Sequence, residues 1–152
     1  MSKLPSEVCS LVAIVGPDAY TTTAYSTGST LGRVDISKFE SLMVVGAVAE
    51  WSTAGTFNMK LMECATSHGT YTSITGKAIT VMGEVATSAN HQAIINLDAA
   101  EMTAGYKWVG VESAIVAGCN ACVMAFGFGN RYSDAVISTA YGDLSTVVEI
   151  IT

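Results

Sequence analysis

Charge is what this chain has least of. Of its 152 residues only 13% are Asp, Glu, Lys or Arg, against about 25% in ordinary soluble proteins. A free monomer keeps a well-charged surface to stay soluble, and charge is depleted at the buried centres of protein interfaces. The deficit points to a subunit that turns much of its surface to a partner. The alternative is a monomer with a neutral surface of Ser, Thr and Gly. Basic residues are scarcer still: Lys3, Arg33, Lys38, Lys60, Lys77, Lys107 and Arg131 are scattered and form no stripe that could neutralise phosphates. With a net charge of −6, the chain is expected to bind neither nucleic acid nor an anionic membrane.

Long apolar runs are also missing. The longest, Leu11–Val15 and Cys122–Phe126, fall far short of the ~20 residues a membrane helix needs. A secretory leader is not expected, because Pro5 and Glu7 interrupt the passage from Lys3 into the apolar segment Val8–Val15, and no small-x-small cleavage site follows. That segment reads instead as the first strand of a protein made in the cytoplasm. Without an oxidising compartment, Cys9, Cys64, Cys119 and Cys122 are expected to be buried free thiols rather than a disulfide framework. Nor is there a long amphipathic helix, which argues against an α/β fold.

What the chain does have is apolar residues, half of the total, arranged in short runs between Gly, Ser, Thr, Asn and Asp. Thr56–Cys64 alternates cleanly, with Phe57, Met59, Leu61 and Glu63 on one face and Asn58, Lys60, Met62 and Cys64 on the other. That is the period of a half-buried strand. Val8–Val15 is a strand stopped by the turn signal Gly16-Pro17-Asp18. Ala19–Thr27, rich in Thr and Tyr, and Leu31–Ile36 follow. Leu42–Val48 is apolar on both faces and is expected to be a central strand. Tyr71–Ile74 and Lys77–Met82 are split by Thr75-Gly76, and His91–Leu97 is a further strand. Tyr106–Val116 and Ala121–Phe128 read as a hairpin about Gly118-Cys119-Asn120. The one helical turn is Asp98–Met102, with Asp98 as N-cap and Glu101 at its third position.

About eight to ten short antiparallel strands at roughly 8–12-residue spacing predict an all-β, single-domain β-sandwich, jelly-roll-like, spanning residues 1–152. A domain of this length buries roughly 70% of its unfolded surface and needs no staples. Residues 1–7 and 135–152 are candidate arms.

Chemistry-bearing motifs are absent or incomplete. Cys119-x-x-Cys122 lacks the further ligands of a zinc site and the βαβ context of a redox motif, and on a strand its thiols point to opposite faces. Gly69–Lys77 has the wrong spacing for a phosphate loop, and Ala78 stands where Ser or Thr is required. Gly127-Phe128-Gly129 lacks the third glycine and the helix of a dinucleotide site. His68 and His91 sit in no nucleophile motif and are read as solvated or structural. No catalytic residue, metal or cofactor is expected. Trp51, in the loop-like stretch Ala49–Gly55, is either an interface anchor or part of a loop folded back over its own core.

These segments resemble small proteins encoded beside the major capsid gene of tailed bacteriophages. The resemblance runs from about Phe39 to Arg131. It is carried by Leu42–Gly46, the Ala54-Gly55-Thr56-Phe57 turn into Met59–Glu63, Gly76–Thr80, Ile94–Leu97 with Ala100–Met102, Gly105–Val109, and Gly127–Tyr132. It implies a jelly-roll-like sandwich that serves as a capsid decoration (cement) protein. Such a protein would be localised to the virion and bound to the major capsid protein, and its self-association is expected as a homotrimer. The candidate interface residues are Trp51, Phe57, Trp108, Phe128, Arg131 and Tyr132. The alternatives are a tail-tube, head–tail connector or fibre-base protein, and a carbohydrate- or receptor-binding sandwich.

Overall fold

The computed structural model describes residues 9–20, 24–25, 33–51, 53–83, 91–116 and 119–129, with the backbone alone described at 10, 11, 13–20, 24, 25 and 50. Ten strands follow one another: β1 (Cys9–Tyr20), β2 (Ala24–Tyr25), β3 (Arg33–Asp35), β4 (Ser41–Trp51), β5 (Thr56–Cys64), β6 (Thr72–Ala78), β7 (Met82–Gly83), β8 (His91–Asp98), β9 (Trp108–Val116) and β10 (Cys119–Phe128). Single 3-10 turns, Ile36–Lys38 and Ala99–Glu101, precede β4 and β9. The second is capped as expected: the Asp98 carboxylate accepts from the amide of Ala100, and Glu101 reaches back to the amide of Asp98.

The strands form two antiparallel sheets packed against each other. One has the order β1-β10-β4-β8. In the other β9 and β5 lie at the centre, with β2 and β3 both pairing with β9 and β6 and β7 both pairing with β5. Taking β2 with β3 and β6 with β7 as broken single strands leaves the eight strands of a jelly roll. The chain changes sheet at nearly every connection, and β5–β6 is the turn that stays within one sheet.

Period-two alternation determines which side chains enter the space between the sheets. From β5 come Phe57, Met59 and Leu61, all with no exposed surface, and from β9 come Val109, Val111 and Ile115. Leu42, Val44 and Val48 of β4, Val123 and Ala125 of β10, and Ile95 and Leu97 of β8 meet them from the other side. Phe57 is therefore a core residue. Its expected place at an interface is corrected by the alternation, which points it inward.

Three local expectations also change. The turn signal Gly16-Pro17-Asp18 does not stop the first strand, because β1 lies at the edge of its sheet and absorbs the proline at a register shift between Val15 and Asp18. β9 and β10 are not a hairpin: they belong to different sheets, β9 pairing with β5 and β10 with β1 and β4. Trp51 ends β4, paired with Cys119, rather than sitting in a loop.

Gly127 sits where β10 passes the ring of Phe39. A Cβ there would lie 2.5 Å from the Phe39 Cδ1 atom, and Phe39 is itself buried. Gly127→Ala is expected to destabilise the fold by about 1–3 kcal/mol in urea unfolding, as overpacking does. Combining it with Phe39→Leu should cost less than the sum of the two single changes, since the smaller side chain vacates the space the methyl needs. Additive costs would contradict this packing.

Candidate interaction surface

A two-layer sandwich leaves each sheet with an outer face, and here the two faces differ. On the sheet built on β5 and β9 the outer side chains include Thr56, Asn58, Lys60 and Glu112. Lys60 and Glu112 are cross-strand partners joined by an ion pair of 2.9 Å. On the other sheet, β10 turns out Cys122, Met124, Phe126 and Phe128, while β4 turns out Met43, Val45 and Ala47. These residues are half-buried by one another, with no second layer of described residues over them. The register aligns Phe126 with Met43, Met124 with Val45 and Cys122 with Ala47. Ile94 of β8, 55% exposed, extends the middle row. The face is apolar across β10 and β4, and β8 adds Ile94 between Gln92 and Asn96.

At one corner of this face lies an open groove of about 480 Å³, lined by Ser41, Met43, Asn96, Asp98, Lys77 and Phe128 among others. Lys77 closes the sandwich edge there. Its Nζ donates to the carbonyl of Asn96 at 2.8 Å and to Glu101 Oε2 at 2.6 Å, and the same oxygen accepts from the amide of Asp98 at 2.8 Å. The Lys77 hydrogen bond, and then that from the Asp98 amide, hold the Glu101 carboxyl below its usual range.

Three polar groups deeper in the fold are structural. Glu63, buried at the end of the β5 core row, accepts from the amide of Thr103 at 3.0 Å and from its hydroxyl. Arg33, also buried, donates to the carbonyl of Ser67, which accepts from the Tyr71 hydroxyl as well. These bonds pin the segment after β5 onto its own sheet. Burial pushes the Tyr71 phenol up to about 12, with the Arg33 charge opposing, so at neutral pH the hydroxyl keeps its proton and remains a donor.

Of the six expected interface residues, the four that the structure describes do not come together. Trp51 is half-buried at the end of β4, its ring edge-on to His91 at 5.9 Å between centroids. Among the described residues neither Trp51 Nε1 nor His91 Nδ1 has a hydrogen-bond partner. Trp108 is half-buried at the start of β9, on the opposite sheet from Phe128. Of the four that the structure describes, Phe128 alone belongs to the apolar face; Arg131 and Tyr132, like the candidate arms 1–7 and 135–152, lie outside the described residues. The apolar residues that sequence reasoning missed, Met43, Val45, Met124 and Phe126, carried a readable signal: strands apolar at every position rather than at alternate ones.

Cys9, Cys64, Cys119 and Cys122 are free, and alternation along β10 sends Cys119 inward and Cys122 outward. Burial raises the thiol pKa of Cys9 and of Cys119, which makes them poor nucleophiles at neutral pH. His68 is exposed, its Nδ1 2.7 Å from the hydroxyl of Ser67. Among the described residues, no three His, Cys, Asp or Glu side chains gather to hold a metal ion, and no helix is long and apolar enough to cross a membrane. Comparison with protein-family models and with curated proteins found no match.

A carboxyl whose pKa is lowered by folding stabilises the fold above its unfolded pKa, and that contribution is lost as pH falls through the folded value. Glu101→Gln should therefore melt below the unaltered protein at neutral pH, and the two melting curves should converge below about pH 4. A gap that persists in acid would mean the Lys77–Glu101 bond does not act through charge.

Proposed function

We propose that this chain is a structural subunit of a tailed-bacteriophage virion, a decoration (cement) protein that binds the outer surface of the head and stabilises the shell. The observation that carries this reading is the contrast between the two outer faces. One sheet carries the Lys60–Glu112 ion pair at the centre of its outer face, while the other presents adjoining rows of apolar side chains suited to burial between subunits. The segments that carry the resemblance to capsid-associated proteins lie on this framework. Leu42–Gly46 falls in β4, Met59–Glu63 in β5, and Ile94–Leu97 in β8 with the capped turn after it.

Such a protein works by mass action. A ligand that binds only the expanded shell stabilises it by RT ln(1 + [L]/Kd), about 2.7 kcal/mol per site at a hundredfold excess over Kd. No bond is made or broken, so the role needs no nucleophile, base or metal. The edge strands β1 and β8 supply backbone groups that a neighbouring strand can pair with.

Mixing the purified chain with empty expanded heads, then pelleting and melting them, tests this reading. The chain should pellet with the heads and raise their melting temperature. A chain that stays in the supernatant, or assembles into rings or tubes of its own, would overturn it.

A further inference from the structure

We propose that the apolar face of the four-stranded sheet is covered by the same face of a second copy of this chain. The two copies would be related by a twofold axis lying between the sheets, along the row Met124–Val45–Ile94. Three rows cross β10, β4 and β8: Phe126–Met43–Asn96, Met124–Val45–Ile94 and Cys122–Ala47–Gln92. On β10 and β4 bulk falls across these three rows, from Phe and Met in the first to Cys and Ala in the third, while β8 runs Asn, Ile, Gln. Rotation about the middle row reverses the strand direction and keeps the strand order. Phe126 of one copy then faces Cys122 of the other, and Met43 faces Ala47. Large side chains meet small ones at both ends, as interdigitating sheet faces require. The same rotation sets Asn96 against Gln92, two amides that can each donate and accept. The polar strand of the face is thereby matched as well as the apolar ones.

Area and charge agree with this occupant. From Ser41 to Ala49 the face runs about 27 Å, and the sheet, with the backbone of β1 beside β10 included, spans about 19 Å over four strands. Each copy thus contributes roughly 500 Å², and the pair buries about 1,000 Å² in all, the threshold for a specific interface. Among the described side chains of the face, Asp98 at the end of β8 is the one that carries charge. In the pair the two Asp98 residues stand at opposite ends, about 27 Å apart and several screening lengths from each other. No like charges are forced together, although each chain carries a net charge of −6. This pairing stands whether or not the pair binds a phage shell.

Sedimentation equilibrium of the full chain over a range of concentrations is the test. The unaltered protein should show twice the chain mass. Met124→Glu places two carboxylates face to face on the axis and should weaken the pair by at least about a hundredfold. Circular dichroism of this variant should be unchanged, because the side chain points away from the core. Ala47→Arg fills the space that Met43 of the other copy needs and should act in the same way. Lys60→Ala, on the outer face of the other sheet, should leave the pair intact. A protein of single-chain mass, its face covered by residues 130–152 or by a different protein, would overturn the proposal. So would a trimer, or a pair that survives both Met124→Glu and Ala47→Arg.

Discussion

The packing of two inner sheet faces governs the rest of this molecule. Phe57, Met59 and Leu61 enter the interior from one side, and Leu42, Val44, Val48, Val123 and Ala125 enter from the other. Gly46 marks how close the layers come: a Cβ there would sit 3.1 Å from the Met59 Sδ atom and from the Phe57 ring. Because the side-chain period of a strand is two, placing these residues inward commits their neighbours in sequence outward. For β5 the outward set is Thr56, Asn58, Lys60 and Met62, and Lys60 pairs there with Glu112. For β4 and β10 it is mostly Met, Val, Ala, Cys and Phe, with Ser41 and Asn120 toward the ends. The outer apolar face is thus a direct consequence of the core register, written by two strands that are apolar on both sides.

That pattern explains both what the sequence made legible and what it did not. β5 was read residue by residue, and its inward face, Glu63 included, is the one the alternation named. The capped turn after β8 was readable because Asp98 and Glu101 have one local geometry in which both carboxylates meet backbone amides. β4 was read as a central strand, and it does lie inside its sheet. However, apolar residues on both faces report cover on two sides rather than position within a sheet, and no described residue supplies the second cover. The pairing of β9 with β5 rather than with β10 was not legible, because a short Gly-rich connection serves a hairpin and a change of sheet equally well. Pro17 misled for a related reason: a proline breaks a paired strand only where its missing N–H is needed, and β1 is an edge.

The candidate site was harder to read than the fold. Large aromatics drew attention to Trp51, Phe57 and Trp108, yet interface strength follows from where a side chain points, which alternation decides. Phe57 points inward and Trp108 lies on the other sheet, leaving Phe128 beside Phe126 and the unremarked Met43, Val45 and Met124. Low charge is a signal of a different kind. It is a property of the whole surface, and the fold concentrates its effect on one sheet while the Lys60–Glu112 pair marks the other.

The central claim is that the outer face of β4 and β10 is buried against protein in the working state. Oxidative footprinting of the methionines tests it most directly, comparing the chain at high concentration with the chain on dilution. Met43 and Met124, on the apolar face, should be protected when concentrated and become reactive on dilution, while Met62, on the opposite sheet, keeps one rate throughout. Equal reactivity of Met43 and Met124 at both concentrations would contradict the account.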